Sequence, residues 1–291
     1  MSYTYEQVIK AVIEDFENLF SPDSGFKVNY KVESGNFLAK VSGNSKGDTL
    51  LFSKLLANQE VNSIDDIMFC LIIVGHELAH YVNRHNSHAD ESKLDSVAIE
   101  AWADFFGARI MFTLITHGAL LQKKIANIMA IPFAKPMPVG PRQDLLLKAC
   151  GRALLNAYES LYKQSDGNTK YPKSSIRVRT FVAGISSFFF RLFGSMREDW
   201  TIYVYKLVFL DTNLASITHD FTIYEEPDSL IERTLEIHKK IKGDEQFISL
   251  GLKQNYLDLV GTNYVDNKEE RNRLMVNFRD EFKKWKLPIE I

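Results

Sequence analysis

Apolar residues recur along this chain in three different patterns, and each predicts a different element. Between residues 4 and 20, Val8, Ile9, Val12, Ile13, Phe16, Leu19 and Phe20 fall at helical spacing on one side. Thr4 stands at the cap position of that helix, and the Ser-Pro-Asp-Ser-Gly run at 21–25 ends it. Short β-type runs follow over residues 26–32, 36–41 and 49–53, with glycines at 35, 43 and 47 supplying the turns. They predict a small antiparallel sheet leading into the helix that follows. The third pattern is a run without a polar face: residues 67–74, Ile-Met-Phe-Cys-Leu-Ile-Ile-Val, are apolar all round, as in a helix packed on every side. Ser63 and Asp66 form a capping box at its start, and the helix is expected to reach Asn83 or His85.

Beyond a polar connection at 86–93, a second long helix is predicted over 94–116, stopped by Gly118. From there the pattern is helical almost throughout, over 120–130, 142–163, 175–196, 200–210, 228–241, 244–260 and 267–285. Breaks fall at the proline-rich stretch 132–141, which reads as a linker or a rigid loop, and at 164–173. The expected fold is α+β: residues 1–195 with a small sheet and two long central helices, then a helical C-terminal region over 196–291.

Composition narrows the function classes. Lys and Arg number 35 and Asp and Glu 37, so the net charge of −2 carries no footprint for nucleic acid. Two cysteines, Cys70 and Cys150, make no disulfide framework and fit a reducing compartment. The first residues lack a basic stretch followed by an apolar one, and residues 181–190 are too short to span a bilayer. A soluble cytoplasmic protein is expected, with neither membrane nor nucleic acid as a partner.

The candidate chemistry sits where the apolar helix turns polar. His-Glu-Leu-Ala-His at 76–80 puts His76 and His80 four residues apart, on one helical face, where both can grip one Zn²⁺. Glu77 lies beside them as a general base for a water activated by the ion. Gly75 permits close backbone approach at this point. On the next helix Glu100 and Asp104 are again four apart. Glu100 is the expected third ligand, leaving a fourth position open as in catalytic zinc sites. Asp104 is expected to accept the ring N–H of a ligating histidine, His76 first. Ala103, Gly107 and Ala108 are small where two helices must approach. His85 is a rival third ligand, but five residues past His80 it is rotated about 140° around a continuing helix. Unless the helix ends first, it is a cleft-edge or solvent histidine. His88, His117, His219 and His238 have no paired spacing and are expected to be non-ligands.

His-Glu-x-x-His followed by Glu-x-x-x-Asp resembles the gluzincin metallopeptidases. The resemblance implies His76, His80 and Glu100 as zinc ligands, Glu77 as base and Asp104 as the carboxylate behind a ligand. Tyr171-Pro172 followed by Arg177 resembles the His-Pro-x-x-x-x-Arg element of M48-type peptidases, with Tyr171 standing where that family has histidine. The implied roles are a hydroxyl donor to the reacting oxygen for Tyr171 and an anchor to a carboxylate near the metal for Arg177. Tyr81 and His219 are the next candidates for the donor. A strand before the motif helix and an acid on the next helix are also similar to the ImmA/IrrE-like peptidases. The resemblance spans residues 49–179. It implies a zincin-like core, with residues 49–53 as the sheet edge that lies beside the metal and binds the substrate backbone as an added strand. It also implies a soluble zinc endopeptidase acting on a restricted cytosolic protein, with a regulatory partner possible. The alternative is a non-catalytic zinc-fold binding protein whose helical region holds a partner.

Overall fold

The computed structural model describes residues 3–44, 47–87, 95–130, 140–166, 168–193, 198–212, 214–215, 232–234, 236–237 and 251–260. His88, His219, His238, the proline-rich residues 132–139 and most of the helices expected after residue 215 lie outside them.

The chain opens with strand β1 (Tyr3–Thr4) and helix α1 (Tyr5–Glu17). Thr4 caps α1 in a capping box with Gln7, whose side chain accepts the Thr4 N–H at 3.1 Å. Strands β2 (Tyr30–Glu33), β3 (Ala39–Asn44) and β4 (Gly47–Ser53) follow, then the short helix α2 (Lys54–Ala57) and strand β5 (Glu60–Val61), which pairs with β1.

The sheet differs from expectation in two respects. It is mixed, with the order β2-β4-β3: β3 is antiparallel to β4, but β2 runs parallel to it. The chain does reverse between β2 and β3 as the Gly35 turn implies, yet β4 inserts between the two and takes the hydrogen bonds of both. Residues 49–53 are consequently the centre of the sheet and not its edge. Leu50, Leu51, Phe52 and Ser53 are all buried, the profile of a strand covered on both sides. The edge strands are β2 and β3.

Helix α3 (Ile64–Asn83) is capped by Ser63 and Asp66 as its sequence implies, with Asp66 N–H donating to Ser63 Oγ at 3.2 Å. Residues 67–74 are buried to the last one, so the run apolar on every face is the core of the protein. Around α3 pack α4 (Ser96–His117), α5 (Ala119–Met129) and α6 (Pro141–Ala157), and α7 (Ser174–Phe193) packs along α4. Helix α8 (Glu198–Val208) rests on α6 and α7, and the short α9 (Leu257–Val260) on α4 and α7. The stretch read as one helix over 244–260 is, in its described part, a turn at Gly251 (φ 81°), a bridge from Leu252 to Phe20, and then α9. The architecture is mixed α+β, mostly helical, with small sheets.

Two paired glycines set how closely the central helices approach. A Cβ on Gly75 would lie 2.8 Å from the Gly107 carbonyl oxygen, and one on Gly107 2.8 Å from Gly75 and from the His76 nitrogen. Any side chain at either position would push α3 and α4 apart at the first motif histidine. Gly184 does the same for α7, since its Cβ would meet the Phe105 carbonyl of α4. Helix α4 is thereby held tightly between α3 and α7.

Candidate metal centre

The crossing at Gly75 and Gly107 brings the motif face of α3 against the acidic face of α4. His76 Nε2 lies 3.0 Å from His80 Nε2 and 3.2 Å from Glu100 Oε2, and His80 Nε2 lies 3.6 Å from Glu100 Oε1. One atom from each of His76, His80 and Glu100 falls within 4.8 Å of the others, the one such group of potential metal ligands among the described residues. Glu77 lines the same cleft, of about 510 Å³, together with Tyr171 and Arg177.

The first motif histidine is held from behind. His76 Nδ1 lies 2.8 Å from Asp104 Oδ1, the contact expected from the spacing. Asp104 is wholly buried and accepts two hydrogen bonds from Arg177, Nε to Oδ2 at 2.8 Å and Nη2 to Oδ1 at 3.0 Å. This two-pronged geometry suits a planar guanidinium and fixes both partners. Arg177 also sits 3.9 Å from Glu100 Oε2, and its guanidinium carbon stacks 4.0 Å over the Tyr162 ring and 5.5 Å from that of Tyr171. Asp166 anchors the start of α7 by accepting from Ser174 N–H and Oγ–H, both at 2.7 Å, which places Arg177 one turn in.

Opposite charges hold the buried groups of the site away from the protonation states that burial alone would impose. Burial alone would drive the His76 imidazole towards neutrality, but Asp104 and Glu100 overrule it and hold its pKa up at about 10. Burial would raise the Glu100 carboxyl, yet His80 and His76 hold it well below the usual range. Asp104 is likewise lowered against its burial, by Arg177 and then His76. Burial raises Glu77, with its neighbouring histidines opposing. Glu100 Oε2 is buried without a hydrogen bond, and with the Nδ1 atoms engaged elsewhere His76 turns its Nε2 towards Oε2 and His80 its Nε2 towards Oε1. Two nitrogens and a carboxylate oxygen converging on one point beside a buried carboxylate fit a divalent ion, zinc above all.

Several parts of the site had no clear signal in the sequence. Helix α3 does end before His85, at the left-handed Arg84 (φ 51°), but His85 joins neither the cluster nor the cleft edge. It is 4% exposed, and its Nδ1 lies 2.7 Å from His80 Nδ1, on the side of that ring turned away from Glu100. Tyr162 ends a π-helical turn, Tyr158–Tyr162, where a plain helix was expected up to residue 163. The cleft wall on the sheet side is β3. Leu38 O accepts from Ser53 N–H at 2.8 Å, so ladder alternation turns the N–H and C=O of Ala39 and Val41 outwards. Asn86 Nδ2 donates to the Val41 carbonyl at 2.7 Å.

The other candidates lie elsewhere. The Tyr81 hydroxyl is tied to the segment before β2, accepting from Asn29 N–H at 3.2 Å and donating to Lys27 O at 3.3 Å. His117 packs edge-on against Tyr256, away from the cluster. Cys70 and Cys150 are buried and unbridged. No helix among the described residues is long and apolar enough to cross a membrane. Comparison with protein-family models, with curated proteins and with solved structures gives no match.

Proposed function

We propose that this protein is a zinc-dependent endopeptidase built on a zincin-like core, acting in the cytoplasm on a restricted protein substrate. The observation that carries this reading is the convergence of His76, His80 and Glu100 on one point of a cleft that Glu77 also lines. Zinc held there supplies a Lewis acid that polarises the scissile carbonyl and makes water more acidic.

The chain's own groups do the rest. Glu77, whose basicity burial enhances, takes a proton from the attacking water and returns it to the leaving amine. The outward N–H and C=O of Ala39 hold the substrate main chain as an added strand on the edge of β3. Tyr171 reaches the cleft from the opposite wall and offers a hydroxyl proton to the oxygen on which charge develops. The nearby Glu100 and, after it, burial raise its pKa, so it remains a donor at neutral pH. Arg177 and Asp104 touch none of the reacting atoms in this scheme and fix His76 in place. Two buried, unbridged cysteines support a reducing compartment.

The test begins with metal. Purified protein is expected to carry one zinc per chain by mass spectrometry of the metal. Glu100→Ala loses most of it, with the helical circular dichroism unchanged. Absence of zinc from the wild type, or full zinc in Glu100→Ala, overturns the ligand set. Hydrolysis of a mixed fluorogenic peptide pool by the zinc-loaded wild type, abolished by chelation and restored by zinc, tests the peptidase activity itself.

A further inference from the structure

Helix α3 ends in a way that bears on its second motif histidine. Asn83 Nδ2 donates to Ala79 O at 2.7 Å and closes the last turn, and Arg84 in the left-handed region sends the chain back on itself. The short 3₁₀ turn His85–Ser87 that follows is pinned to the sheet by Asn86 on Val41 O. This places the His85 ring, buried and edge-on to His80 with centroids 4.9 Å apart, at 2.7 Å between the two Nδ1 atoms.

The geometry points to His85 as the positioning residue of His80, holding its ring for the metal as Asp104 holds that of His76. This assignment rests on the proposed zinc site. A histidine that offers the Nε2 lone pair to an ion must carry its proton on Nδ1. Nδ1–H of His80 therefore donates, and Nδ1 of His85 must be the acceptor, with the His85 proton on its own Nε2. The contact fixes the tautomers of both rings, and the turn at Arg84 fixes where the acceptor stands. The two ligating histidines are thus backed unequally, one by a carboxylate paired to an arginine and the other by a neutral ring. A histidine that merely fills space in the core would need no acceptor nitrogen at this position.

The experiment compares the full-length wild type with His85→Leu and His85→Asn, since the Asn side-chain oxygen stands close to where Nδ1 of histidine lies. Zinc affinity is measured by competition with a chromophoric chelator. The solvent-exchangeable, paramagnetically shifted N–H protons are followed by NMR after cobalt(II) substitution. The wild type is expected to show two such protons, on Nδ1 of His76 and of His80. His85→Leu should weaken zinc binding about 10–100-fold and lose the His80 proton signal to rapid exchange. His85→Asn should restore both to near wild-type values. The assignment is overturned if His85→Leu keeps its affinity and both signals, or if Asn rescues no better than Leu, which would make the contact one of packing. Complete loss of zinc in His85→Leu, matching His80→Ala, would make His85 a ligand and overturn it equally. A wild type that binds neither zinc nor cobalt removes the metal site, and this assignment with it. Thermal unfolding of the metal-free variants separates a failure to fold from each of these.

Discussion

Glu77→Gln is expected to keep its zinc and its fold while losing about 10²–10⁴-fold or more in peptide hydrolysis. Glutamine is nearly isosteric with glutamate, and Glu77 is not among the three residues whose atoms converge on the metal position. What it removes is the basic oxygen that takes a proton from water, together with the proton delivered to the leaving amine. Steady-state kinetics beside metal analysis makes the comparison. Equal hydrolysis by wild type and variant, on a peptide shown to be cut by this protein, would end the enzyme reading and leave a zinc-fold binding protein in its place. Tyr171→Phe in the same assay should lower kcat at unchanged zinc content, because its hydroxyl is proposed to act on the developing oxyanion and not on the metal.

Arg177→Ala is expected to be the most destabilising single change at the site, by about 3–5 kcal/mol, because it strands a buried carboxylate. Asp104 is fully buried, and among the described residues Arg177 is the guanidinium that hydrogen-bonds to it, with His76 as its other side-chain partner. The loss should appear as a lower denaturant midpoint and a weaker zinc affinity, since Asp104 also orients His76. Arg177→Lys should recover little, for an ammonium cannot make the two-pronged contact or stack between Tyr162 and Tyr171. The paired change Asp104→Asn with Arg177→Met should regain stability without regaining zinc affinity, because the unpaired charge is gone but the carboxylate behind His76 is too. If Arg177→Ala unfolds at the wild-type midpoint, Asp104 is not relying on this arginine.

Local spacing carried the ligand candidates, and three-dimensional context carried what surrounds them. Two pairs at i and i+4 place His76 with His80 and Glu100 with Asp104 on facing sides of α3 and α4 wherever those helices form, and capping residues fix where they start. Arg177 was accessible only through a resemblance, which gave it an unnamed carboxylate near the metal as partner; that partner is Asp104. The sheet was misread because pairing order is not a local property: the turn at Gly35 predicts a reversal, and nothing near it says that β4 will enter the gap. The consecutive apolar residues Leu50, Leu51 and Phe52 were the available clue, since such a run suits a strand covered on both faces better than an edge. His85 was weighed on a helix that continues; a left-handed non-glycine residue at Arg84 has no sequence signature, and it alone brings that ring back to His80. Tyr162 was hidden by an extra residue in one helical turn, which leaves the hydrophobic pattern almost unchanged.

The glycine pair at the crossing of α3 and α4 has a consequence for how this protein can change over time. Most close contacts between helices tolerate an enlargement on one side if the other side shrinks, so substitutions can trade across the interface. Here both partners, Gly75 and Gly107, are already the smallest residue, and what each would strike is the other's backbone. No second mutation can make room for the first. The distance between the histidines and Glu100 is therefore not adjustable in small steps, and a lineage that lost either glycine could recover the site only by reverting it.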